Sequence, residues 1–200
     1  MADAAQILQE LRGALQLPAG LLAHMERVST TAQQLANRWG ADPDAAALAG
    51  FLHDVARAQP PEALLAQARE LGLPVHPVEE RTPLLLHGPV GAVLVDRLEP
   101  GLSEELRQAI AWHSTGRWGM TLLEKVVFLA DKLEPGKQGY YQGLDDLNDL
   151  AQQDLDQALL NYLEWSVRHL MERGVLVHPA TIDARNWLLA QRQEQAVAHD

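Results

Sequence analysis

Between Ala46 and Ala56 the chain reads AALAGFLHDVA, an apolar run broken by one histidine and one aspartate, His53 and Asp54. Asp42 followed by Pro43 predicts a helix start, a cap and then a first-turn proline, and Pro60 is expected to end the helix that carries the pair. An ionised carboxylate among apolar neighbours is costly unless it is paired or bound to a cation. Adjacent positions on a helix diverge by about 100°, yet two such side chains can still converge on one ion lying between them. This stretch therefore predicts a core helix with a polar task.

Working outward, the apolar pattern is helical almost throughout. Val28, Ala32, Leu35 and Trp39 recur at helical spacing ahead of Gly40, and His24 stands four residues before Val28 on the same inward stripe. A short helix over 62–71 stops at Gly72, and the stretch 73–81, with Pro74, Pro77 and nearby Pro83, reads as a loop. His87 falls just before a helix opened by Gly88 and Pro89. Ser103 with Glu104 and Glu105 begins a helix that runs to Trp112 or His113. Thr121-Leu-Leu-Glu124 is a capping-box pattern, and the helix it starts carries Asp131 near its end. A long amphipathic helix over 154–173, an extended Val175-Leu-Val and a last helix after Pro179 complete the chain. We expect one all-α domain, 1–200, of about seven to nine helices, with its core over about 21–190 and a peripheral N-terminal helix and C-terminal tail.

Composition bounds the chemistry. At 200 residues, 47% apolar and 22% charged, the chain can bury a core of its own. It has no cysteine, so a metal must be held by imidazole and carboxylate. The N-terminal residues lack signal-peptide character and no apolar stretch reaches the roughly 18 residues of a membrane helix, which predicts a cytoplasmic protein without a membrane partner. A formal charge of −11, from 16 basic and 27 acidic residues, argues against a nucleic-acid backbone as partner. A small polyanion remains compatible if the field is reversed within one pocket. All three lysines, Lys125, Lys132 and Lys137, fall around Asp131, either for that reason or as part of a solvated face.

A lone histidine on an apolar face is ordinarily a satisfied core residue. Four of them, His24, His53, His87 and His113, each in or beside a helix expected to face the core and joined by Asp54, are harder to explain that way. In this order, His24, His53-Asp54 and Asp131 resemble the H…HD…D signature of HD-domain phosphohydrolases. LLHG (85–88), HSTG (113–116), MTLLEKVVFLADKLEPG (120–136) and VHPAT (177–181) are similar to the YqeK-type symmetrical diadenosine-tetraphosphate hydrolases within that family. The resemblance extends from about His24 to Asn186, nearly the whole chain.

The resemblance implies two divalent ions, iron by family and otherwise manganese, nickel, cobalt or zinc, all suited to imidazole and carboxylate. His24, His53, Asp54 and Asp131 would hold the first, and Asp54, His87 and His113 the second. It further implies symmetrical hydrolysis of diadenosine tetraphosphate to two ADP by a hydroxide shared between the ions, with Asp54 and Arg57 as catalytic residues. Arg57, Ser114, Thr115, Lys132, His178 and Thr181 would bind substrate. Arg57 and Ser114 stand where the family more often has lysine and threonine, and Lys132 and Lys137 where it often has an aromatic and an arginine. These departures bear on substrate affinity, not on the metal ligands. The same ligand set also serves hydrolases of nucleoside mono- or triphosphates, and a non-catalytic nucleotide-binding module on this fold is a third reading. Lys125 is open between phosphate ligand and partner of a carboxylate. Trp118, in the turn GRWGM, is the tryptophan best placed to stack on a base. His76 and His199 read as solvated and His169 as structural. The sequence sets no oligomeric state; a homodimer is compatible with it.

Overall fold

Asp42 turns its carboxylate onto the amides of Asp44 and Ala45, at 2.9 and 3.1 Å, and so starts the helix that leads to His53. In the computed structural model, which describes residues 4–137 and 143–197, this helix is α3 (Pro43–Leu52). Before it come α1 (Ala4–Ala14) and α2 (Ala19–Trp39). After it come α4 (Pro61–Glu70), α5 (Pro77–Arg81), α6 (His87–Leu98), α7 (Glu104–Trp112), α8 (Leu122–Leu133), α9 (Leu144–Gln153), α10 (Leu155–Glu172) and α11 (Pro179–Val197). Short 3-10 turns at Pro83–Leu86 and Pro135–Lys137 lead into α6 and out of α8. No strand occurs among the described residues, and none of their helices is long and apolar enough to cross a membrane.

The core lies where α2, α3, α7 and α8 meet. Met25, Phe51 and Phe128 are wholly enclosed there with Leu35, Leu48 and Leu129, each contributing about 1.5–3 kcal/mol by leaving water. The N-terminal helix places Ile7 and Leu8 in the same core. A smaller cluster of Ala56, Leu64, Ala68, Leu86 and Val90 holds α4 against α6.

The structure departs from the sequence reading at three places. Helix α3 ends at Leu52, so His53 is its cap and Asp54 lies in the turns that follow. The expected loop over 73–81 contains α5, because the His76 ring accepts the amide of Val78 while Glu79 accepts the amide of His76. Histidine is an unusual residue for that cap, which hides the helix from pattern reading. Helix α9 carries Leu144, Leu147 and Ala151 inward on an otherwise acidic surface. With these two there are eleven α-helices among the described residues, more than the seven to nine expected.

Candidate metal centre

Three of the four histidines stand at helix ends, and that position decides what their rings do. His53 caps α3, His87 caps the 3-10 turn before α6, and His113 caps α7. The last carbonyls of a helix have no partner within it. Each ring uses one, three residues back: Nδ1 of His53 donates to the Gly50 carbonyl (2.7 Å), Nδ1 of His113 to that of Ile110 (2.7 Å), and Nδ1 of His87 to that of Leu84. His24 lies inside α2, where carbonyls are already taken, and its Nδ1 instead donates to the carboxylate of Glu134 at 3.1 Å. A carbonyl or carboxylate accepts, so in all four rings Nδ1 carries a proton, and each ring when neutral presents its lone pair at Nε2.

All four Nε2 atoms converge. His24 and His53 approach to 3.3 Å, and Oδ1 of Asp131 lies 3.2 and 3.7 Å from them. His87 and His113 approach to 3.0 Å. Asp54 stands between the pairs: its Oδ2 is 3.6 and 3.5 Å from His24 and His53, and its Oδ1 is 3.0 and 3.5 Å from His87 and His113. The close approach of the second pair needs Gly88, since a Cβ there would sit 2.5 Å from the carbonyl oxygen of Ala111.

Acceptors packed this closely repel unless a proton or a cation lies among them. Burial opposes charge on Asp54, but the imidazoles of His113, His53 and His87 around it hold its carboxyl well below the usual range. Burial also opposes charge on Asp131, and Lys132, His24, His53 and Lys137 overcome it, so that this pKa too is well below normal. Burial pushes the His113 imidazole down to about 4, leaving it neutral at pH 7. For His53 burial is outweighed by Asp54 and Asp131, and its pKa is raised. Ionised carboxylates among imidazole lone pairs are a donor set that fits divalent transition metals. Ligand atoms of His24, His53 and Asp131, and those of His53, Asp54 and His113, lie within 4.8 Å of one another.

A cleft of about 270 Å³ opens over Asp54, His87, His113 and Asp131, lined also by Arg57, Ser114, Lys132, Lys137 and Tyr162. Arg57 is exposed and makes no ion pair among the described residues. Lys132 is half-buried; its Nζ lies 2.5 Å from Oδ2 of Asp131 and over the Phe128 ring. Ser114 Oγ is 3.2 and 3.1 Å from Nε2 of His87 and His113.

Other residues singled out in the sequence lie elsewhere. Thr115 is buried and its hydroxyl donates to the Gly116 carbonyl at 3.0 Å. Thr181 is buried at the start of α11. His178 packs against His76 and faces Glu79 in a separate cleft along α6 and α7. Lys125 pairs with Asp156 at 2.7 Å and lies over Trp187, a structural role. Trp118 is 58% exposed. His76 is exposed, His169 stacks on Trp165, and His199 is outside the described residues. The residue that sequence reading passed over is Glu134, which is 2% exposed. It sits in the polar turn LEPG, where a glutamate has no signal of burial.

Comparison with known proteins agrees with this architecture. Residues 21–136 match the HD domain family. The chain is 38% identical over 167 residues to the symmetrical bis(5'-nucleosyl)-tetraphosphatase of Bacillus subtilis, covering 84% of this chain and 88% of that one. It is 34% identical over 174 residues to the protein of the same name from Staphylococcus aureus, covering 86% and 88%. A crystal structure from Clostridium acetobutylicum, described as a predicted HD superfamily hydrolase involved in NAD metabolism, superposes with a TM-score of 0.86 at 32% identity, over 96% of this chain and 99% of that one. The chain belongs to the HD domain family, on the branch that holds these symmetrical bis(5'-nucleosyl)-tetraphosphatases.

Proposed function

We propose that this protein hydrolyses diadenosine tetraphosphate symmetrically to two ADP, using two divalent ions. The observation that carries the reading is Asp54, whose two oxygens face two different imidazole pairs. His24, His53, Asp131 and Oδ2 of Asp54 would hold one ion; His87, His113 and Oδ1 of Asp54 the other. Bound there, the ions would supply Lewis-acid activation of a water and neutralise charge on phosphoryl oxygens. Iron is our reading of their identity from the family; manganese, nickel, cobalt and zinc suit the same ligands. The names of the relatives support the substrate class.

The chain's own residues do the rest. The Nδ1 contacts hold all four imidazoles in the tautomer that offers Nε2. Arg57, on the cleft wall and without a carboxylate partner among the described residues, is placed to take phosphate oxygens through its planar fork. Lys132 and Lys137 offset the charge of Asp131 in an otherwise acidic chain. Water adds across the central P–O–P bond. One inner phosphorus gains the water oxygen and the other departs with the bridging oxygen, so both products are ADP.

Chromatography of the reaction tests this. ADP is expected as the single nucleotide product, and in 18O-labelled water one ADP of each pair carries the label. Equal amounts of AMP and ATP would overturn symmetrical cleavage, and turnover restricted to nucleoside mono- or triphosphates would overturn the substrate.

A further inference from the structure

Three of the metal-facing histidines are oriented by the backbone of the helix that each one ends. His24 cannot be, because it lies five residues into the 21-residue helix α2, where each carbonyl is engaged in the helical ladder. Its Nδ1 is met instead by a carboxylate from another helix, the glutamate that caps α8. Three donors converge on that carboxylate. His24 Nδ1 lies 3.1 Å from Oε1, while Arg27 Nε and the amide of Gly136 lie 2.5 and 2.7 Å from Oε2. Arg27 is one turn beyond His24 on α2, so both reach the same group. At Glu134 the backbone leaves the helix for an extended conformation, which folds the side chain back under the end of α8. The pairing packs tightly on the turn that follows: a Cβ on Gly136 would meet Arg27 Nη2 at 2.6 Å and the Glu134 oxygens at 2.8 and 2.9 Å, so a side chain there would displace these two side-chain ends.

We infer that Glu134 is a positioning residue of the metal centre. It acts through His24, fixing the ring's tautomer and direction and adding to the basicity of Nε2, while Arg27 keeps the buried carboxylate paired. A carboxylate behind a ligating imidazole has this effect generally, and its loss costs about 10–100-fold in metal affinity. The arrangement also makes the two halves of the centre unlike. In the half with His24 one ring is oriented at Nδ1 by a side chain that mutation can remove, whereas the other three rings lean there on carbonyls.

The inference rests on the two-ion reading, and the test separates the two. Long-range 1H–15N spectra of the metal-free protein report the tautomer of each histidine, and titration with manganese or zinc reports affinity. Wild type is expected to show His24 protonated at Nδ1 and to take up two ions. Glu134→Ala should lose the single tautomer at His24 alone, and one of the two ions should bind about 10–100-fold more weakly. Glu134→Gln still offers an oxygen to Nδ1, so the tautomer should return, with the affinity of that ion between those of the other two proteins. A His24 tautomer unmoved in Glu134→Ala, or wild-type affinity for both ions in Glu134→Gln, would overturn the role. Should Glu134→Ala fail to fold, the affinities of Glu134→Gln decide. A wild-type protein that binds no ion would defeat the metal reading itself and leave the tautomer result to judge Glu134.

Discussion

The two halves of the centre share Asp54 and differ in how they are built. One half draws His24, His53 and Asp131 from three helices distant in sequence, and is braced by charged groups: Glu134 and Arg27 behind His24, Lys132 and Lys137 beside Asp131. The other half is His87 and His113 alone, at facing ends of the adjacent helices α6 and α7, oriented by backbone carbonyls and bridged by the Ser114 hydroxyl. A half with two carboxylates should hold a cation more firmly than one that borrows a single oxygen. We therefore expect the ions to bind with unequal affinity.

The largest effect should come from the residue the halves share. In Asp54→Ala both sites lose a ligand, and metal content should fall from about two ions toward none, with activity down by several orders of magnitude. Elemental analysis beside kinetics checks this; an active, metal-free wild type would falsify the scheme. Asymmetry is exposed by single-half variants. His113→Ala leaves the other half its four ligands, so about one ion should remain while activity still falls by orders of magnitude, because chemistry needs both. Two ions retained in His113→Ala would remove that residue from the ligand set. Loss of melting temperature alone, with metal unchanged, would make it a core residue.

The halves also differed in how far sequence exposed them. His53-Asp54, His24 and Asp131 stood out because polar residues in an apolar stripe are costly, and the capped starts of α3 and α8 are local signals that survive folding. His87 and His113 were legible as chemical types, but their orientation depends on Gly88 admitting α7 closely, which is a tertiary fact. Glu134 was invisible: nothing local distinguishes a buried glutamate from a solvated one in LEPG, and its side-chain partners Arg27 and His24 lie 107 and 110 residues away. Helix α5 was missed because a histidine does the work of a serine at its cap, and α9 because its apolar stripe is short and set among acidic residues. Lys132 illustrates a milder case. Sequence placed it on phosphate, and the folded chain ties its ammonium to Asp131 while leaving it on the cleft wall.

Arg57 belongs to neither half, which sharpens the comparison. Arg57→Ala should leave metal content at its wild-type value and lower kcat/KM by about ten- to a hundredfold, the equivalent of one charge-assisted contact of about 1.5–3 kcal/mol. Arg57→Lys should recover part of this, since the charge remains and the planar fork is lost. Unaltered kinetics in Arg57→Ala would return the side chain to solvent.

The smallest effect is expected at Ser114. Its hydroxyl lies 3.2 and 3.1 Å from two imidazole nitrogens that carry lone pairs, so it can donate to one of them at a time. That contact steadies rings whose main restraint is already the carbonyl behind each Nδ1. Its removal should cost about the net value of one neutral hydrogen bond, 0.5–1.5 kcal/mol. In Ser114→Ala the weaker ion should then bind at most about tenfold less tightly, with the tighter ion unmoved. Activity at saturating metal should change by only a few-fold. Ser114→Thr keeps the hydroxyl and should behave as wild type. Metal titration followed by calorimetry resolves the two ions. If Ser114→Ala lost one whole equivalent, the hydroxyl would be a ligand in its own right, and the weaker half would have three protein ligands besides Asp54 instead of two.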